Sequence, residues 1–341
     1  MRYIAILLIC FLAFTYGYNA EYQTEKIPED YKMLVEYAHI AAISYCLKKE
    51  SSSGLLGDDK TNCLLEICNA KPYENIEIKG SFKFNTWGEA CSGYYAIDHD
   101  SRRVLLVFRG TASRKDWLRN MDIYPVKYSP IFFNDGIPLA KRLQNIECDN
   151  CKVHRGYYKT LKKHCTSIIQ GVLDLHSEYS DYKLVVVGHS LGGALAVLSG
   201  IELQLMGHHP LVVSYASPKV GNRDMAEYID RIFYTSEVAK YIYENRDLNT
   251  GYIRVVHKGD MIPKLPPTTI YQHCGFEYTI NKKYFPHASD DVEPKGVSGL
   301  DDQYAEDQVS MAKFSYNKLW SDNVGKYEHN NYFIGITKCQ I

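Results

Sequence analysis

The chain has 341 residues, 45% of them hydrophobic and 23% charged, an ordinary globular balance with enough apolar material for a substantial core. Its 39 basic and 40 acidic side chains leave a formal net charge of -1 and are mixed along the chain with no basic stripe, which argues against nucleic acid or another polyanion as the main partner. Tyrosine is unusually frequent, with 29 copies, and composition alone supplies no physical reason for it.

The N-terminus, MRYIAILLICFLAFTYGYNAEYQ, has one arginine, an apolar run from Tyr3 to Phe14, and then small or polar residues. That is the pattern of a signal peptide, taken here as residues 1–20 with Gly17 and Ala20 as the candidate cleavage points. The run is shorter than the ~20 residues a bilayer span needs, and no later segment is long enough, so no stable membrane span is expected. Ten cysteines, nine once Cys10 leaves with the peptide, fit disulfides in an oxidising, extracellular or secretory-lumen setting. Cys148 and Cys151 have a spacing that zinc ligands also use, but no second such pair and no paired-histidine motif completes four ligands, so neither metal nor other cofactor is expected. An odd count leaves at least one thiol unpaired or bridging to another chain.

Downstream, EDYKMLVEYAHIAAISYC carries Leu34, Tyr37, Ala38, Ala41, Ala42 and Tyr45 at helical spacing, predicting a helix from about Glu29. SSSGLLGDDKTN is a loop. GYYAID at 93–98 and RRVLLVFRG at 102–110, separated by an acidic turn, predict a hairpin feeding a sheet. From Tyr157 to Tyr182 the period is helical, with Leu161, Cys165, Ile168, Ile169, Val172 and Leu175 on one side. Then strand KLVVV, a helix from Ser190 to about Leu205, strand PLVVSYA, a helix near 224–233 and strand YIRVVH alternate. Such alternation predicts an α/β fold with a mostly parallel central sheet and helices on both faces. Its strands read as near-continuous apolar runs because both sides are covered. Residues 289–307 are acidic and turn-rich and read as a surface excursion. No boundary separates two self-sufficient cores, so residues 21–341 are expected to form a single domain.

Gly188-His189-Ser190-Leu191-Gly192 follows one of these strands and opens a helix, fitting G-x-S-x-G, a sharp reversal that holds a serine clear of the backbone. Glycines stand on both sides because a larger side chain would collide in so tight a turn. The helix onset aims free N–H groups and a positive dipole end at any anion formed there. A serine hydroxyl is a weak nucleophile and needs a histidine to take its proton and a carboxylate to fix the imidazole. In this arrangement the chain order is serine, acid, histidine. Asp260 follows YIRVVH, where a carboxylate can leave the sheet at the same edge as Ser190. Of the later histidines, His208, His209 and His257 sit in a short loop or close a strand and read as structural.

VFRGTASRKDW, CKVHRGYY, VVVGHSLGGALA, SYASPKVGN, VVHKGDMIPKLPP and KYEHNNYFIGITKC together resemble the fungal class 3 lipases, most closely the secreted yeast triacylglycerol lipases, in consistent order over about residues 25–341. The resemblance implies an α/β-hydrolase fold, a catalytic triad of Ser190, Asp260 and His329, and an oxyanion hole at Thr111 and Leu191. It also implies a lid helix in ASRKDWLRNMDIYPV, where Trp117, Leu118 and Met121 cluster within about one turn among charged residues, a pattern suited to an oil–water interface and equally to a packed surface helix. It further implies disulfides Cys46–Cys339, Cys63–Cys68 and Cys148–Cys151. Pairing of Cys91, Cys165 and Cys274 stays open, a Cys91–Cys165 bridge included. Asn330 departs from the leucine common after the catalytic histidine. The activity implied is that of a secreted esterase acting on acylglycerols, with a feruloyl or other small-ester esterase and an inactive lipid-binding homologue as the competing readings. Lipid or small-ester substrate is the expected partner, and the oligomeric state is not readable.

Overall fold

The computed structural model describes residues 28–47, 53–58, 63–86, 89–111, 122–132, 148–266, 269–297 and 325–339. The expected signal peptide, the lid residues Trp117, Leu118 and Met121, and the excursion beyond residue 297 lie outside the described residues.

The strands are β1 (Gly54–Leu55), β2 (Glu77–Thr86), β3 (Glu89–Asp98), β4 (Arg103–Arg109), β5 (Pro125–Lys127), β6 (Lys152–His154), β7 (Lys183–His189), β8 (Leu211–Tyr215), β9 (Gly251–His257), β10 (Phe276–Ile280), β11 (Val292–Val297), β12 (Asn331–Tyr332) and β13 (Ile334–Gly335). The helices are α1 (Glu29–Cys46), α2 (Arg155–Thr160), α3 (Thr166–Glu178), α4 (Leu191–Leu205), α5 (Arg223–Ile232), α6 (Thr235–Tyr243) and α7 (Lys326–Asn330). Nine strands form one sheet in the order β1-β2-β3-β4-β7-β8-β9-β10-β11. Its centre, β4 through β10, is parallel, while β1 to β3 and β11 run antiparallel at the two sides.

Side chains alternate between two cores. Val104, Leu106, Phe108, Leu184, Val186, Val212 and Tyr252 face the core under α2 to α5. Leu105, Val107, Val185, Val187, Leu211, Val213, Ile253 and Val255 face the core under α1 and α6. This two-sided burial is the physical reason the central strands are apolar throughout. Helix α4 packs against β4, β7 and β8 and is buried almost all round, Glu202 included. The Glu202 carboxylate accepts from the Tyr128 hydroxyl at 2.8 Å and from the Ile131 and Phe132 N–H groups, so an acid in the core pins the 128–132 segment.

The structure departs from the sequence expectations in three places. The helix expected over 157–182 is α2 and α3 joined by a π-turn, Leu161–Cys165, and it ends at Glu178. Leu161 and Cys165, at the two ends of that turn, are both buried. The turn-rich acidic excursion begins with a short 3-10 turn and the edge strand β11, whose mostly exposed residues left little apolar signal. Strands β2 and β10 and helix α6 went unread because their apolar residues are interleaved with polar and charged ones.

Five of the 29 tyrosines share one role. Tyr31, Tyr94, Tyr158, Tyr215 and Tyr271 donate their hydroxyls to backbone carbonyls of His287, Ile40, Ser129, Leu34 and Ile123. Each ring fills core or groove while its tip satisfies a carbonyl of a segment distant in sequence.

Candidate active site

Strand β7 ends at His189 and α4 begins at Leu191, so the whole reversal falls on Ser190, at φ 59° and ψ -127°. A non-glycine residue at positive φ is strained by about 1–3 kcal/mol and persists only where its surroundings hold it. Here they do. A Cβ on Gly188 would come within 2.1 Å of the Gly192 carbonyl oxygen, and one on Gly192 within 2.4 Å of the Phe108 carbonyl oxygen. The two glycines therefore let β4, β7 and α4 close around the serine. The Ser190 N–H is held by the Tyr215 carbonyl at 2.9 Å.

His329 lies on the short helix α7 and Asp260 in the turn after β9, both buried. The Ser190 Oγ is 3.0 Å from His329 Nε2, and His329 Nδ1 is 2.9 Å and 3.1 Å from the two Asp260 oxygens. A carboxylate can only accept, so Nδ1 carries the proton and Nε2 offers its lone pair to the serine hydroxyl. Asp260 also accepts from the Ile262 N–H at 2.9 Å and the Tyr332 hydroxyl at 2.7 Å. Burial would raise this carboxyl, but the His329 charge and hydrogen bond, with those from Ile262 and Tyr332, outweigh it and hold the group below the usual carboxylate range.

Thr111 and Leu191 flank the serine. Gly110 lies so close that an added Cβ would meet the Ser190 Cβ at 2.9 Å, which sets Thr111 beside the elbow. Leu191 is the first residue of α4, so its N–H belongs to the four that a helix leaves unsatisfied at its start. The polar residue Asn330 follows His329 directly and is half-buried. His208 and His209 stand by His176 and Gln204, away from the serine. His257 ties β9 to the end of α7 and to β12 through the Glu328 and Asn331 carbonyls. Among the described residues no group of three or more His, Cys, Asp or Glu side chains could hold a metal ion.

Sequence reasoning missed a second layer beneath these groups. His189 Nε2 lies 2.8 Å from the His329 carbonyl oxygen, its Nδ1 lies 2.7 Å from the Tyr45 hydroxyl, and that oxygen accepts from the Gly110 N–H at 2.7 Å. The proton order is determined: the carbonyl only accepts, so Nε2 donates, Nδ1 accepts, and Tyr45 donates to it. Burial and the adjoining His329 push His189 down to about 3, so it stays neutral as this chain requires. The chain ties the strand end before Thr111, the residue before Ser190 and the backbone of His329 into one unit. Nothing local marks Tyr45 or Tyr332, since both act across long sequence separations among many tyrosines.

The three implied disulfides are present: Cys46–Cys339, Cys63–Cys68 and Cys148–Cys151. The first joins the last residue of α1 to the segment that carries His329 and Tyr332.

Comparison with known proteins places this geometry in context. Residues 105–270 match the family model described as lipase (class 3). A Saccharomyces cerevisiae relative named LIH1 is 34% identical over 92% of this chain and 95% of its own length. The secreted mono- and diacylglycerol lipase 2 of Gibberella zeae is 26% identical over 88% of this chain and 75% of its own. The crystal structure of the Lip2 lipase of Yarrowia lipolytica superposes with a TM-score of 0.69 at 28% identity, covering 90% of this chain and 94% of the other. An α/β-hydrolase fold, a serine elbow backed by histidine and aspartate, and a relative matched almost end to end lead to one assignment: the chain belongs to the class 3 lipases and is a carboxylic ester hydrolase.

Proposed function

We propose that this chain is a secreted serine esterase that cleaves the ester bonds of acylglycerols through an acyl-enzyme on Ser190. The observation that carries the reading is the 3.0 Å contact between Ser190 Oγ and the unprotonated Nε2 of His329, whose other nitrogen is held by buried Asp260. His329 takes the hydroxyl proton as Ser190 attacks the ester carbonyl. The tetrahedral oxyanion is received by the Leu191 N–H and by the N–H and hydroxyl of Thr111, donors of a kind worth ~100 to 1000-fold each in rate. The imidazolium then protonates the leaving alcohol, and a water activated by the same nitrogen releases the fatty acid.

Secretion is supported by the apolar N-terminal run, by the disulfides, and by a relative named as a secreted mono- and diacylglycerol lipase. No described helix is long and apolar enough to cross a membrane. Trp117, Leu118 and Met121 would form the apolar face of a lid opening at an oil–water interface. One observation favours a second reading: half-buried Asn330 beside His329 suits small or aromatic esters better than long acyl chains. Hydrolysis of p-nitrophenyl butyrate, triolein and methyl ferulate, with Ser190→Ala as control, separates the two. Triolein cleavage that vanishes in the variant supports the acylglycerol reading. Cleavage confined to small or aromatic esters replaces it with the second, and no serine-dependent cleavage at all contradicts both.

A further inference from the structure

Outside the three disulfides, Cys91 of β3 and Cys165 at the end of the π-turn are both fully buried, and their sulfurs stand 2.6 Å apart. Unbonded carbon atoms already keep roughly 3.5–4.0 Å between them, and sulfur is larger. A covalent sulfur pair sits at about 2.05 Å. The contact is thus too close for two separate thiols, and a small side-chain adjustment separates it from a bond. Cys274 is the internal control, because it is just as buried but has no such sulfur neighbour among the described residues.

We propose that Cys91 and Cys165 form a further structural disulfide. The bridge links β3, which pairs with the strand leading to Gly110 and Thr111, to the helical layer on one face of the sheet. Its two cysteines are 74 residues apart. The intervening chain holds β4, Thr111, β5, β6 and α2, so the bridge closes a ring around the segment that carries Thr111. The chemistry is thiol–disulfide exchange with an oxidised dithiol carrier of the secretory route. One sulfur–sulfur bond forms here as the carrier's breaks, the two thiol protons end on the carrier's sulfurs, and the electron pair goes with them.

Burial also protects the bridge. Both sulfurs are fully buried in the packed protein, so the bond is shielded from reductants that reach half-buried Cys148.

The test is a thiol map of the full chain made through the secretory route of a yeast host. Protein unfolded in guanidinium with iodoacetamide and no reductant should carry the label on the Cys274 peptide, with Cys91 and Cys165 unlabelled and recovered as one linked peptide that separates on reduction. Label on both Cys91 and Cys165 with no linked peptide overturns the proposal. A Cys91→Ala/Cys165→Ala variant should melt about 10 °C below the parent, the scale expected for opening a ring of this length. That difference should shrink when both are fully reduced, and an equal loss with and without reductant would mark a packing defect and count against the bond.

Discussion

At the scale of single residues, the site depends on which nitrogen carries a proton. Asp260 fixes that for His329, and the Tyr45–His189 chain fixes it for the ring beneath. The chain is also mechanical: the Gly110 N–H reaches the elbow through the Tyr45 hydroxyl, and Gly110 precedes Thr111. Tyr45→Phe removes one oxygen and strands two buried groups, the Gly110 N–H and His189 Nδ1, at a cost of about 1–3 kcal/mol each. We expect kcat on a soluble ester to fall about 10- to 100-fold with KM nearly unchanged, since substrate binding does not involve these groups. A rise in KM at constant kcat would contradict a positioning role. Ser190 is legible in sequence because the elbow is a local device, a strand, a serine between glycines and a helix. Tyr45 is not, because its hydrogen bond to His189 spans 144 residues.

At the scale of elements, His329, the proposed general base, rides on one of the shortest pieces of the fold. Helix α7 has five residues and cannot hold itself in water. It is fastened by His257, by the His189 bond and by the Cys46–Cys339 link to α1. That disulfide closes 293 residues of separation, which in the entropic account removes about 5–6 kcal/mol from the unfolded state. A Cys46→Ser/Cys339→Ser variant should therefore lose most of its activity at temperatures where far-ultraviolet circular dichroism is still native, because the C-terminal segment loosens before the sheet melts. Simultaneous loss of activity and sheet signal would contradict this. The α1 helix and the β3–β4 hairpin were readable because period and turn agree. The π-turn was not, since the apolar spacing through Leu161, Cys165 and Ile168 is compatible with an uninterrupted helix.

At the scale of the whole molecule, two cores on either side of one sheet bury several groups that water would charge. Burial pushes His154 and His189 down to about 3, and it holds His273 well below its ordinary value with the help of the Arg254 and Lys219 charges. The fold stabilises their neutral forms, while in the unfolded chain they titrate near 6.5. Below that pH the unfolded chain binds more protons, so their contribution is present above pH 6.5 and is lost as pH falls toward 3. Glu202 and Asp230, raised by burial, act in the opposite sense. Near pH 5 the three histidines of the unfolded chain are almost fully protonated and outnumber the two carboxyls by one proton, or about 1.4 kcal/mol per pH unit. Calorimetry should find Tm falling as the pH drops from 6 to 5, and a flat or rising Tm there would contradict the account. The parallel centre of the sheet was legible from alternating strands and helices, whereas its antiparallel flanks, β2 and β11, carry too few apolar residues to announce themselves.

The most direct measurement is the site and rate of labelling by a fluorophosphonate, which reacts only with an activated serine. The account predicts a single adduct on the peptide containing Ser190, none in Ser190→Ala, and labelling slowed roughly 10⁴-fold or more in His329→Ala. An adduct on a different serine, or full reactivity without His329, would contradict it.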